Sequence, residues 1–410
     1  MTYEEWIRWL EDVPKYGHKD GVKNIQKLLL RLGSPEKTGA VIHVAGTNGK
    51  GSICAMLSGI LAKAGYRVGM YTSPHLVSYT ERIQVQGHPI SEEDFLRLGL
   101  KVQHEVERMV DEGENHCTFF EILTAMAYLY FAEQSVDFVV LETGVGGRLD
   151  ATNTVEPPHL KLCVIASISK DHTKVLGDDV RLIAAEKAGI FRRGVPVVLS
   201  RNDEAVRTVI AEKAAEVGAP VVYAGEASCP YPVSLKGDYQ KENAATVVLA
   251  VEELRKQGLP VPEEAVKSGL ANTFWPGRMQ EVTMEGRTVL LDGAHNPDGV
   301  YRLCRYLDDY EPEDSVTLVF CALGKKDTTG MLRHFADCRA LKEIILTRIH
   351  GEDNETLFEE TWRALSLKPM SFEETPIAAL KKAVEEEGQG LVVAAGSLYL
   401  IGELLEQLGA

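Results

Sequence analysis

The chain has 410 residues, more than one ordinary hydrophobic core, which makes two domains the default. With 44 Lys and Arg against 60 Asp and Glu its formal net charge is −16, so the basic footprint of a nucleic-acid-binding protein is missing and any anionic ligand must be met by locally gathered cations. No apolar run reaches the length of a membrane span and no basic region precedes an apolar stretch at the N-terminus, so a cytoplasmic protein without a membrane partner is expected.

Residues 6–10 and 23–32 carry apolar side chains at helical spacing and predict two amphipathic helices ahead of the first strand. The apolar run 40–45 reads as that strand. It breaks into Gly46-Thr47-Asn48-Gly49-Lys50-Gly51-Ser52, and apolar periodicity resumes over 53–64 as a helix. Strand, glycine turn and helix start make the geometry that holds a phosphate chain: glycines admit close approach of backbone N–H groups, and the helix N-terminus adds unpaired donors. Lys50 supplies a point charge, and Ser52 a hydroxyl for Mg²⁺ or a phosphate oxygen. The spacing departs from the general phosphate loop, because Val44 stands where that pattern has its first glycine. The alternative is a plain glycine turn, but a lysine beside a buried strand end is costly without an anionic partner.

A second strand over 67–71 ends at Thr72-Ser73-Pro74-His75, where Pro74 forces Ser73 out of helical geometry. Ser73 is placed either to ligate Mg²⁺ or simply to turn the chain. Helices follow over 91–112 and 118–132, the second carrying Phe119 and Phe120, which on position alone are core. The near-continuous apolar run 136–141 predicts a central parallel strand that delivers Glu142 to its C-terminal end, where ligands of open α/β sheets bind. A glycine-rich loop, Gly144-Val145-Gly146-Gly147-Arg148-Leu149-Asp150-Ala151-Thr152-Asn153, follows. Another buried strand over 162–168 leads to Asp171-His172; that histidine is a metal ligand or a capped loop residue. Strands over 195–199 and 220–223, a helix from 204 and a helix over 238–256 carrying Asn243 continue the alternation. It implies a doubly wound, mostly parallel α/β sheet.

Composition shifts at Thr273-Phe274-Trp275-Pro276-Gly277-Arg278, and the Pro-Gly pair breaks any helix. The domains expected are therefore 1–274 and a smaller α/β domain, 275–410. In the latter, short strands over 281–284 and 288–291 end at Asp292-Gly293-Ala294-His295-Asn296-Pro297, and strands over 316–320, 343–346 and 391–395 alternate with helices. The seven cysteines are scattered without a Cys-x-x-Cys pair and predict buried reduced thiols.

These motifs together resemble the folylpolyglutamate synthase/dihydrofolate synthase branch of the Mur-ligase superfamily, over essentially the whole chain. The segment from Gly46 to Ser52 resembles the superfamily's ATP loop, and His43-Val44-Ala45 before it resembles the folate branch. Glu81-Arg82-Ile83, the run beginning at Phe119, Asp171-His172, Glu186-Lys187-Ala188-Gly189-Ile190 and the Asp292-Gly-Ala-His-Asn-Pro segment match further family motifs. One departure is Ser167-Ile168-Ser169-Lys170, where the family usually has Asn and Gly before its Asp-His.

The resemblance implies an ATP-dependent ligase that adds L-glutamate to folates, and to dihydropteroate as well, through an acyl phosphate. It implies that Gly46, Thr47, Asn48, Gly49, Lys50, Gly51, Ser52, Asn243, Arg278, Asp292 and His295 serve ATP, with Asn243 near the adenine. Lys50, His172, Lys187 and Arg278 would act in catalysis, and Arg82, Phe119 and Asp150 would meet the folate substrate, Asp150 at the pterin. Ser73, Glu142, His172 and Lys187 would hold two Mg²⁺ ions, with a monovalent cation as a further cofactor. An unmodified ammonium is repelled by Mg²⁺, so Lys187 at a metal site implies a carbamate formed with CO₂. A monomer with small-molecule partners only is expected. Two readings compete: a cell-wall Mur ligase, which would carry a separate nucleotide-sugar domain before the ATP loop, and a nucleotide-binding switch, which leaves His172 and Lys187 without a role.

Overall fold

A computed structural model describes residues 1–14, 21–170, 177, 179–225, 227–324, 326–349, 355–385 and 390–409. The chain divides into two units. The first takes Met1–His75, Tyr79–Ser234 and Lys241–Thr273; the second takes Phe274–Ala410 together with Leu76–Ser78 and Leu235–Gln240.

The first unit opens with α1 (Tyr3–Asp12), started by a capping box between Thr2 and Glu5, and α2 (Lys23–Arg31). Strands β1 (Ala40–Ala45), β2 (Val68–Tyr71), β3 (Ile83–Val85), β4 (His88–Pro89), β5 (Phe138–Glu142), β6 (Leu160–Ile165), β7 (Val197–Leu199) and β8 (Val221–Tyr223) form one sheet in the order β4-β3-β2-β5-β1-β6-β7-β8. All pair in parallel except β3 and β4, which add an antiparallel edge. Its other helices are α3 (Lys50–Lys63), α4 (Glu92–Asp111), α5 (Phe119–Glu133), α6 (Val180–Ala188), α7 (Glu204–Val217), α8 (Asp238–Lys256) and α9 (Glu263–Asn272).

The central strands β1 and β5 are apolar nearly throughout because helices cover both of their faces. Alternation sends Val41, Ala45, Val139 and Leu141 into one core with Trp6, Phe95, Ile122 and Met126. Ile42, Val44, Val140 and Glu142 take the opposite face, and α3 packs against β1, β2 and β5. The strand order reverses at β1, so its C-terminal end is the switch point at which such sheets bind ligands.

In the second unit β9 (Gln280–Met284), β10 (Arg287–Leu291), β11 (Val316–Phe320), β12 (Leu341–Thr347), β13 (Met370–Glu373) and β14 (Val392–Ala395) pair in the order β13-β12-β11-β14-β10-β9. Only β9 is antiparallel. It turns into β10 through Glu285 and Gly286, at φ 51° and 81°, the left-handed pair of a tight hairpin. Helices α10 (Pro297–Tyr310), α11 (Thr328–Asp337), α12 (Glu355–Leu365), α13 (Pro376–Glu385) and α14 (Leu398–Leu408) complete it around Phe320, Phe335, Phe358 and Trp362.

Three features differ from the sequence reading. The β3–β4 edge and β13 are too short to show a period, and β13 is only partly buried along its length. A single cut after residue 274 also leaves Leu76–Ser78 and Leu235–Gln240 in the wrong unit. Leu76 is gripped by the second unit: a Cβ on Gly402 would collide with its carbonyl oxygen, and one on Gly277 would lie 3.2 Å from its Cδ1. Excursions this short leave no mark on composition. Among the described residues no helix is long and apolar enough to cross a membrane, and all seven cysteines are free, six of them buried.

Candidate active site

At the end of β1 the chain enters the glycine loop and starts α3 at Lys50, with Gly49 as N-cap at φ 90°. That conformation suits glycine. So does the space, because a Cβ at Gly49 would sit 2.6 Å from Asn243 Oδ1. The first intrahelical bond runs from Ile53 N to Gly49 O at 2.9 Å, so the amides of Lys50, Gly51 and Ser52 lie ahead of it in the anion-binding first turn. Thr47 and Asn48 are placed differently. Their amides donate to Ser167 O at 2.8 and 3.2 Å, and the Thr47 hydroxyl donates to Ser169 O while accepting from Ser169 N. This half of the loop is stitched to the strand-end segment that leads towards His172, which itself lies outside the described residues.

Three strand ends meet beside the loop. Glu142, at the end of β5, is buried and accepts from Ser73 N at 3.1 Å; Lys50 Nζ stands 3.7 Å from its other oxygen and donates to Thr47 O at 3.2 Å. The Ser73 contact with Glu142 runs through its backbone amide. From α6, Lys187 reaches in with its side chain buried, and its Nζ donates to Gly46 O at 2.7 Å. Asn243, from α8, is buried against Gly49.

The 144–153 loop follows Glu142 and docks on the C-terminal end of α6. Arg148 N donates to Glu186 O at 2.8 Å, its guanidinium pairs with the Glu186 carboxylate at 2.9 Å, and Asn153 Nδ2 donates to Gly189 O. Inside the loop, Asp150 Oδ2 accepts from the amides of Gly144 and Val145, both at 2.9 Å, and Oδ1 accepts from Thr152 N at 3.0 Å and Thr152 Oγ1 at 2.5 Å. Those four donors match the four acceptor positions of a carboxylate. Burial raises the Asp150 carboxyl above its ordinary range, and these hydrogen bonds oppose the rise.

In the segment 72–82 that follows β2, Arg82 is buried with its guanidinium beside two aromatic rings, 5.8 Å from the Tyr79 centroid and 5.5 Å from that of Phe119. Its Nε donates to His75 Nδ1 at 2.9 Å, so His75 is the neutral Nε2–H tautomer. Burial, and secondarily the Arg82 charge, push the His75 pKa down to about 3. Sequence reasoning missed His75; its only signal is its place two residues after Ser73.

Within the second unit, Asp292 is buried and accepts from Met279 N and Ala294 N, both at 2.9 Å. Its carboxyl is raised by burial and lowered in part by Arg278. His295 Nδ1 lies 2.8 Å from Gly293 O, which can only accept, so Nδ1 carries the proton. Gly293 makes room for Arg278, since a Cβ there would collide with Arg278 Nη1 and with Leu398 Cδ2. Arg278, which precedes β9, and His295 thus both lie near Asp292 at the end of β10. Among the described residues, no three His, Cys, Asp or Glu side chains converge on a metal position.

Comparison with known proteins gives the same outline. Residues 44–250 match the Mur ligase middle domain and residues 277–398 the Mur ligase glutamate ligase domain. The chain is 36% identical over 437 residues to the dihydrofolate synthase/folylpolyglutamate synthase of Bacillus subtilis, covering 99% of each. Its fold superposes on Escherichia coli FolC in complex with DHPP and ADP (TM-score 0.88, 30% identity, 100% of this chain and 98% of that one). It superposes equally on Mycobacterium tuberculosis folylpolyglutamate synthase complexed with ADP and AMPPCP (TM-score 0.88, 27% identity, 100% and 98%). Two Mur-ligase domains in sequence and an end-to-end match to a folate ligase lead to one conclusion: the chain belongs to the dihydrofolate synthase/folylpolyglutamate synthase family of ATP-dependent acid–amino-acid ligases.

Proposed function

We propose that this enzyme joins L-glutamate both to folates and to dihydropteroate, activating the acceptor carboxyl as an acyl phosphate. The observation that carries the reading is the meeting of Lys50, Glu142 and the Ser73 amide at the end of a phosphate-type loop, with Lys187 held on Gly46. A carboxylate does not react with an amine at neutral pH without a better leaving group. The γ-phosphoryl group moves to a carboxylate oxygen, the α-amine of glutamate attacks the acyl carbon, and phosphate leaves as the amide forms. Lys50 and the first turn of α3 orient the phosphates, and Arg278, Asp292 and His295 are assigned to the nucleotide by their motifs.

The donor set fits Mg²⁺: Glu142 is a hard, buried carboxylate, and Mg²⁺ takes one or two carboxylates together with phosphate oxygens. Glu142 and Ser73 would hold it, and it would neutralise charge on the β- and γ-phosphates. A second ion would use His172, Glu142 and Lys187. For Lys187 the carbamate suits the geometry, because a carbamate nitrogen keeps one N–H and the bond to Gly46 O needs only one. The loop 144–153, fixed by Asp150, together with Phe119 and Arg82, forms the face for the pteroyl end of the substrate.

Purified enzyme should release ADP only when a folate substrate and glutamate are both present. Given dihydropteroate, ATP and glutamate it should form dihydrofolate; folate extension without that product would confine it to the polyglutamate reaction. Stripping CO₂ should lower activity and bicarbonate restore it, whereas a bare Lys187 in a crystal with both metals bound would sink the carbamate.

A further inference from the structure

A buried chain of hydrogen bonds crosses from the strand that carries the phosphate loop to the loop that follows Glu142. His43, on β1, is 1% exposed, and its Nε2 lies 2.8 Å from Thr152 Oγ1. Thr152, fully buried, lies 2.5 Å from Asp150 Oδ1 through the same oxygen. A hydroxyl has one proton to give. Three backbone amides already point at the Asp150 carboxylate, which makes it an acceptor, so the Thr152 proton goes to Asp150. His43 must then be the donor to Thr152, through Nε2–H. The chain therefore has one direction, from imidazole to hydroxyl to carboxylate, and every member is out of water. Tyr128 reinforces it by donating to Thr152 O at 3.2 Å.

We infer that His43 is a positioning residue for the substrate: donating through Thr152, it fixes the Asp150 carboxylate and with it the turn at Gly144 and Val145. His43 touches no reacting group. Its side chain lies on the opposite face of β1 from Val44, the register partner of Glu142, so it acts on the pteroyl side and leaves the phosphate side alone. The Asp150 carboxylate is saturated by its own loop, so its influence passes through the placement of the 144–153 backbone. The inference rests on the reading of that loop as the face for the pteroyl end.

Thr152→Val removes the central hydroxyl at nearly constant shape, and Thr152→Ser keeps it. With dihydropteroate as the varied substrate, Thr152→Val should raise KM about tenfold, the order expected for a lost bond to a charged group, while KM for ATP stays within about twofold. Thr152→Ser should return KM for dihydropteroate to near the wild-type value. Nitrogen-15 spectra of histidine-labelled wild-type enzyme should show His43 as the Nε2–H tautomer throughout neutral pH, and they decide the matter if Thr152→Val does not fold. An unchanged KM for dihydropteroate, equal rises in both KM values, no rescue by serine, or an Nδ1–H tautomer would each overturn the role of His43. Asp150→Asn separates the two levels. If it leaves KM for dihydropteroate unchanged, the loop itself is not the substrate face; if it raises KM and Thr152→Val does not, the loop stands and His43 falls.

Discussion

Glu142 and Asp150 stand at the two ends of one short stretch of chain, both buried, and are held in opposite ways. The partners of Glu142 include the cation Lys50, at 3.7 Å, and the backbone amide of Ser73, just past the end of β2. Asp150 is held by four donors from its own loop. A carboxylate facing a lysine can exchange that partner for another cation when an anionic ligand draws the lysine away. A carboxylate saturated by local donors is committed to shape. Both carboxylates are buried, so it is the origin of the donors that distinguishes them: on the reading proposed above, Glu142 is a ligand group and Asp150 an architectural one.

The largest test of that contrast is Lys50→Ala. It should cut kcat/KM for ATP at least a hundredfold, roughly 3 kcal/mol of transition-state stabilisation, with urea unfolding near that of wild type. Wild-type ADP release in this variant would remove Lys50 and its pairing with Glu142 from the chemistry. Asp150→Ala should instead show up in stability, since it strands the amides of Gly144, Val145 and Thr152. A loss of about 3 kcal/mol is expected from urea titration, and an unchanged midpoint would mean the loop does not depend on its carboxylate.

The two ends of the relay should also respond oppositely to pH. His43 is pushed from 6.5 down to about 3 by burial, so between those values the unfolded chain binds a proton that the folded one refuses. Stability is therefore lost as pH falls below about 6.5, at up to about 1.4 kcal/mol per pH unit, and His43→Gln should flatten that limb. Asp150, raised above 3.8, contributes the other sign: as pH falls from its raised value towards 3.8, the folded chain binds the extra proton and gains stability. An acid limb identical in His43→Gln and wild type would contradict the burial of a neutral imidazole. The smallest effect belongs to Gly293→Ala, which displaces Arg278. A several-fold rise in KM for ATP, on the order of 1 kcal/mol, is expected, and none would show that Arg278 has another way to sit.

Much of this was legible in the chain itself. β1, the glycine loop and α3 announce themselves through a change of period from a solid apolar run to helical spacing, and Glu142 through the end of a second such run. The partners of Thr47 were not legible. Its position in a phosphate loop suggests a ligand contact, whereas its hydroxyl bonds Ser169, more than a hundred residues on. His75 and the His43–Thr152 bond escaped for the same reason: single polar residues in apolar or turn segments carry no period, and their pairing exists only once β1 and the 144–153 loop are side by side. Leu76–Ser78 escaped because three residues are too few to shift composition.

One strand, β1, presents His43 to one side and Val44 to the other, so on the reading proposed above the pteroyl end and the nucleotide are tuned from opposite surfaces of the same six residues. In a laboratory selection for altered pteroyl acceptance, variation at 41, 43 and 45 and beneath the 144–153 loop would be productive, while 42 and 44 would stay quiet. A selection for a different nucleotide would draw on the complementary positions. The two specificities could then be evolved in parallel libraries and recombined within one strand, with little epistasis between them.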